Sequence, residues 1–192
     1  MAAACGGTPR LTLQGQIRGQ PLQPRDAISA TATFNGPGGS GSLGAVRIAT
    51  SAGLCKSAEA NQQAKSTRTL DILLADFDSG VGALTAPTAA GTYAVTYGSP
   101  RLPPKFALVT VRSTDALCAE VQDLAAVGTT GTVTLTAVVA GSFTGTFDLG
   151  LYGRDATGGL VSPLERVTGA FSTTACAALA DILAHPGQAT CQ

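Results

Sequence analysis

Between Gly131 and Tyr152 apolar and polar residues alternate with little interruption. Val133, Leu135 and Ala137 alternate with Thr132, Thr134 and Thr136; beyond Ala140 and Gly141, Phe143, Phe147, Leu149 and Leu151 alternate with Ser142, Thr144, Thr146 and Asp148. A period of two sends successive side chains to opposite faces of a strand, so this segment predicts an antiparallel hairpin with one wet, threonine-lined face and one face on a core. Gly145 falls on the apolar face, where a neighbouring backbone or ring can approach closely. The same period recurs more weakly in Leu11, Leu13 and Ile17, in Ile28, Ala30, Ala32 and Phe34, in Val46 and Ile48, in Leu70, Ile72 and Leu74, and in Tyr93, Val95 and Tyr97. Phe106 to Val111 is a more continuous apolar run, and Val167 to Phe171 ends the series. Nine strands in a chain with 24 glycines predict an all-β fold, an antiparallel β-sandwich or barrel.

Two or three short helical segments interrupt the strands. Asp115 can cap a turn in which Leu117, Val121 and Leu124 share a face, and Thr174 can open a segment that turns Leu179, Ile182 and Leu183 inward before Pro186 and Gly187 stop it. The third spans Gly53 to Gln62. The division this predicts is an N-terminal tether over residues 1–10 and a single β domain over 11–192, a length that one core can serve.

Five cysteines change the picture. Cys5 stands directly after Ala2, Ala3 and Ala4, whereas Cys55, Cys118, Cys176 and Cys191 lie in the body. One terminal thiol and an even set predict an exported protein with a lipid anchor on Cys5, at the outer membrane or extracellular surface, and two disulfides. Ala2 to Cys5 then read as the last residues of a lipoprotein leader. Four cysteines allow three pairings; the expectation is Cys55 with Cys118 and Cys176 with Cys191, the second stapling the C-terminal tail. No two stand at zinc-knuckle spacing.

Charge narrows the partners. Twelve Lys and Arg balance twelve Asp and Glu, so no long-range field steers the chain to nucleic acid or an anionic bilayer, and the membrane is met only through the lipid on Cys5. The longest aliphatic stretches, such as Ile72 to Ala75, are far short of the ~20 residues of a spanning helix. A protein or glycan partner remains open.

Candidate chemistry is sparse. The single histidine, His185, would have to serve any Ser-His-Asp or Cys-His arrangement, yet it sits beside Pro186 in a small C-terminal loop, a setting that suits a capping or solvated role. Gly36 to Gly44 matches G-x-G-x-x-G twice, but Ala45 to Thr50 reads as a strand and not as the helix a phosphate cradle opens, so the glycine run is taken as a hairpin connection. Asp76 and Asp78, ahead of Gly80, could offer alternate carboxylates to a hard cation, although turn-forming Asp and Gly after a strand explain the same letters. No metal or cofactor is therefore expected. Tyr93, Tyr97, Phe106, Phe143 and Phe147 are candidate liners if the fold is a barrel that carries a small apolar ligand; core packing is the plainer role for alternating rings. A carboxylate-dependent hydrolase is a further alternative, though the spacing of the acids nominates no pair.

The order Gly131-Thr132-Val133-Thr134-Leu135-Thr136, then Gly145-Thr146-Phe147-Asp148-Leu149, then Gly169-Ala170-Phe171 with Cys176, together with Gly91-Thr92-Tyr93-Ala94-Val95, Leu54-Cys55 and the Cys5 neighbourhood, resembles uncharacterised bacterial surface lipoproteins of myxobacterial type. The resemblance implies an exported, lipidated, β-built protein and no particular activity. The expectation is a structural or binding module and not an enzyme.

Overall fold

The computed structural model describes residues 11–36, 39–184 and 189–191. Cys5 and His185 lie outside the described residues. The elements in chain order are β1 (Thr12–Gln14), β2 (Gln16–Ile17), β3 (Gln20–Pro21), β4 (Asp26–Gly36), β5 (Gly39–Ala49), α1 (Leu54–Glu59), β6 (Gln62–Gln63), β7 (Arg68–Asp78) and β8 (Ala83–Thr85). After these come β9 (Gly91–Val95), β10 (Lys105–Ser113), β11 (Ala126–Val139), β12 (Ser142–Arg154), β13 (Leu160–Ser172), β14 (Thr174–Ala175), α2 (Ala178–Ala184) and β15 (Thr190–Cys191).

All nine segments read as strands contribute to strands, but there are more than nine strands and the architecture is not a clear sandwich. Eleven strands form one sheet in the order β1-β13-β12-β11-β9-β10-β7-β5-β4-β14, with β8 pairing beside β7. The sheet curls into a half-barrel. Its inner face carries one apolar cluster from strands all along the path, including Val46, Ile48, Leu70, Ile72, Leu74, Tyr93, Val109, Val133, Phe143, Phe147, Leu149 and Phe171. A strongly twisted sheet of this many strands buries its apolar side most completely by curling on itself, and only the two-stranded pairs β2–β3 and β6–β15 stand outside it.

The two margins of the sheet meet at one end. β13 pairs antiparallel with β12, and immediately after Thr173 the chain crosses to pair Thr174 and Ala175 in parallel with Ile28 and Ser29 of β4. Buried hydroxyls clasp this seam: the Phe143 N–H donates to Thr173 Oγ1 at 2.8 Å, Thr173 Oγ1 stands 2.5 Å from Ser29 Oγ, and Ser29 Oγ donates to the Gly141 carbonyl at 2.7 Å. Backbone groups at a closing seam lack ladder partners, and these side chains supply them.

The glycine-rich run joins the two strands of the β4–β5 hairpin, and from Gly39 onward it is itself strand. Residues 39–44 pair with β4 in continuous register, and the reason for their small side chains is close approach. A Cβ on Gly44 would stand 2.8 Å from Pro87 Cδ and 3.0 Å from Phe143 Cζ, so the opposite wall of the half-barrel presses on this backbone.

Of the helical expectations, α1 and α2 form, and both lie on the outer face of β4 and its neighbours, burying Ile28, Ala30, Ala45 and Ala49 with Leu54, Ala58 and Leu179. The segment from Asp115 to Leu124 does not form the helix its pattern predicts. Asp115 Oδ1 accepts the amides of Leu117 at 2.8 Å and Ala119 at 2.9 Å, Cys118 takes φ 61°, and only a single 3-10 turn forms, at Gln122–Leu124. A carboxylate that closes a local turn competes with the helical ladder, and here it wins because Leu117 has no core to reach and is 80% exposed.

The disulfides correct the expected pairing. Cys55 is joined to Cys176 and Cys118 to Cys191, with Cα separations of 5.7 and 5.6 Å. Helices α1 and α2 pack side by side on one sheet face, which brings Cys55 near the start of α1 to Cys176 just before α2. Cys191 reaches Cys118 because β15 lies parallel to β6, with Cys191 opposite Gln63, next to the 115–119 turn. Such bridges belong to a chain that folds in an oxidising, exported environment. No helix among the described residues is long and apolar enough to cross a membrane.

Candidate ligand-binding groove

Because α1, α2, β6 and β15 stand on the outer face of the sheet, that face is roofed, and a recess of about 210 Å³ is left between roof and sheet. Ile28 of β4, Leu54 and Ala58 of α1, and Ile182 and Leu183 of α2 form its apolar wall. Arg47 of β5, Thr69 of β7, Arg112 of β10, Glu120 and the glutamines of β6 form the polar one. Both disulfides flank it, since Leu54, Gln63 and Ala189 sit beside bridged segments.

The polar wall is held by one buried carboxylate. Asp71 lies between Leu70 and Ile72, so the alternation that turns those two inward turns Asp71 outward beneath the roof, where the residue is 6% exposed. Arg47 is its cross-strand partner on β5 and grips it with two bonds, Nε to Oδ1 at 2.6 Å and NH2 to Oδ2 at 3.2 Å. Arg112 adds a third from the β10 side, NH2 to Oδ2 at 2.8 Å. Burial pushes the Asp71 carboxyl up, but the charge and hydrogen bonds of Arg47, and then of Arg112, outweigh it and hold the group below the usual carboxylate range. Burial pushes Arg112 down, yet Asp71 and the more distant Glu120 keep it above its ordinary value. Both guanidiniums retain N–H groups that Asp71 does not use, because each carries five donors.

A second, more open recess of about 360 Å³ lies between β10, β11 and the loop after β12. Arg112 and Glu120 line both recesses. The loop is stiffened by Asp155, whose Oδ1 accepts the amides of Thr157 at 2.9 Å and Gly159 at 2.8 Å and the Thr157 hydroxyl at 2.7 Å. The Thr157 hydroxyl and these loop amides hold the Asp155 carboxyl below its usual range.

The residues singled out from sequence are scattered by comparison. Asp76 is taken by Lys105, whose Nζ lies 2.8 Å from each carboxylate oxygen, and Asp78 Oδ1 accepts the Gly80 amide at 2.8 Å in a turn. They do not converge on a cation, and no group of three or more His, Cys, Asp or Glu suited to a metal occurs among the described residues. The five aromatics do not line a common space either. Tyr93, Phe143 and Phe147 are packed in the inner cluster; Phe106 is buried but alternates with Ala107 and Val109 and so faces the other side of β10; Tyr97 lies past the end of β9 and is 42% exposed. Lys105 Nζ stands 5.1 Å from the Tyr93 ring centre, and the buried Tyr93 hydroxyl has no hydrogen-bond partner among the described atoms. Burial, and then the nearby Asp76 carboxylate, push that phenol well above its ordinary pKa.

Pattern reading missed the groove because it treated the outer face as wet. A signal was present: Ile72-Leu73-Leu74-Ala75 is apolar on both parities, which is how a strand covered on both faces reads. Comparisons with protein-family models, with curated proteins and with solved structures find no match to this chain.

Proposed function

We propose that this chain is an exported, non-catalytic binding module, held at the outer membrane or cell surface by a lipid on Cys5, and that it takes a small amphipathic ligand in the groove beneath α1 and α2. The observation that carries the reading is the composition of one recess: an aliphatic wall from Ile28, Leu54, Ile182 and Leu183 faces a guanidinium wall from Arg47 and Arg112. Small-molecule sites combine a mostly apolar lining with a few fixed polar groups, and here the polar groups are fixed by a buried carboxylate. The same carboxylate argues for binding over reaction. Asp71 is held ionised and already accepts three hydrogen bonds, so it is a weak general base. The ligand that suits this wall has a short alkyl part and oxygen acceptors for the unused guanidinium N–H groups.

Methyl-resolved NMR of the folded protein, titrated with short-chain carboxylates, amines and alcohols, tests the site. Shifts at the Ile28, Leu54, Ile182 and Leu183 methyls with the oxygen-bearing series, reduced in Arg112→Met, are expected. No shift with any series, or shifts confined to the inner cluster, would overturn the assignment. Mass spectrometry of the protein from its native host should find acyl groups on Cys5, and a bare thiol there would remove the anchor.

A further inference from the structure

Strand β4 is bonded along its whole length on one side only. Its residues pair with β5 from Asp26 opposite Ala49 to Gly36 opposite Gly39, whereas on the other side β14 meets only Ile28 and Ser29. One bond gives the direction of the leftover groups. The Cys176 N–H donates to the Ser29 carbonyl at 2.8 Å, so the main-chain groups of Ser29 point away from β5. Alternation along the strand points those of Thr31 and Thr33 the same way, and among the described residues nothing bonds them.

Helix α2 packs against β4 at Ile28 and Ala30, and beyond them Thr31 and Thr33 are exposed, with no cover among the described residues. Sheet margins are protected by charge, proline, bulges or cover, yet residues 27–36 contain neither a charge nor a proline, and the ladder with β5 runs without a register shift. The opposite margin is built otherwise. β13 carries Pro163, Glu165 and Arg166 on its unpaired stretch, and the hairpin of β2 and β3 covers it by donating the Arg18 and Gly19 amides to Glu165.

We propose that this margin is a homodimer interface, in which residues 30–36 of β4 pair antiparallel with the same residues of a second copy across a two-fold axis at Thr33. The free stretch begins where β14 stops and ends where β4 ends, and its midpoint is Thr33, so two copies overlap over its full length without meeting β14. In that register Thr33 faces Thr33, a favourable cross-strand pair, and Ala32 faces Phe34 of the other copy. Phe34 is 38% exposed in the single chain, and the small Ala32 opposite leaves room for the ring to be covered. Because the stretch is uncharged, self-pairing opposes no like charges, and the outward groups of Thr31, Thr33 and Asn35 supply about six main-chain hydrogen bonds.

The test is the mass of the folded protein by sedimentation equilibrium from about 1 µM to 1 mM. A concentration-dependent dimer is expected. Thr33→Pro deletes an N–H that faces away from β5, so the fold and melting temperature should persist while dimerisation weakens at least roughly tenfold; Thr33→Val should dimerise normally. If the proline variant does not fold, Thr33→Lys sets like charges at the axis and should dissociate the dimer in low salt, with recovery in high salt. A wild-type protein that stays monomeric throughout, or a dimer that survives the folded Thr33→Pro or the Thr33→Lys exchange, overturns the proposal.

Discussion

Replacing Cys55 and Cys176 together by alanine removes the bridge that pins the helical roof to the sheet, and chain length sets the size of the loss. The two cysteines are 121 residues apart, and in the chain-entropy picture releasing a loop of that size costs the folded state about 5 kcal/mol at 25 °C. With Cys118–Cys191 still closed, the unfolded chain has a shorter route round the ring through the second bridge, which trims the figure to about 4.5 kcal/mol. Since whole domains are stable by about 5–15 kcal/mol, this is a large share. For a chain of this size it corresponds to a fall in melting temperature of roughly 10–20 °C. Calorimetry of the wild type and the double variant, with non-reducing peptide mapping of both, measures it. An unchanged melting temperature, or a Cys55–Cys118 crosslink in the map of the wild type, would refute the reasoning. A rise in exchange of the α1 and α2 amides well below the global transition would fit it, because those helices owe their position to the bridge more than to their own length.

Asp71→Ala should destabilise by about 3–5 kcal/mol in urea melts, because it leaves the mostly buried Arg47 without its partner. The folded-state pKa of Asp71 lies below its unfolded value, near ~3.9, so the stability difference between wild type and Asp71→Asn should hold at neutral pH and down to about pH 5, then shrink as pH falls through the depressed folded value. A difference that grew on acidification would contradict the ion-pair account. Thr173→Val strips the seam of its shared hydroxyl and should cost about 1–3 kcal/mol, with faster amide exchange at Phe143; unchanged exchange there would show that the seam does not depend on it.

The strands were legible wherever one face is wet. The threonines of β11 and β12 alternate with core residues because that hairpin meets water on one side, and the predicted turn at Ala140 and Gly141 is where the chain reverses, with both residues at positive φ. Legibility failed where both faces are covered. Asp71, Arg47 and Arg112 occupy the outward parity of three strands, a position that reads as solvent-exposed until helices distant in sequence are laid over it. It failed again at Asp115, where a side chain satisfies its own loop, and at the glycine run, where small residues serve the approach of Phe143 and Pro87 and not flexibility.

Sequence alone therefore determined the β class, the places of nine strand segments, the inward face of Leu70, Ile72 and Leu74 and of the 131–151 hairpin, two short helical segments and the oxidising setting, since alternation and cysteine number are properties of neighbours along the chain. Only the tertiary structure decided that one sheet curls where two could have stacked, that Cys55 meets Cys176 and Cys118 meets Cys191, and that a roofed groove stands on the outer face. Those outcomes rest on contacts between residues far apart in the chain, from 73 positions for Cys118 with Cys191 to 144 for Ser29 with Thr173, and the free energy of such contacts depends on how the intervening strands are packed, which no local pattern encodes.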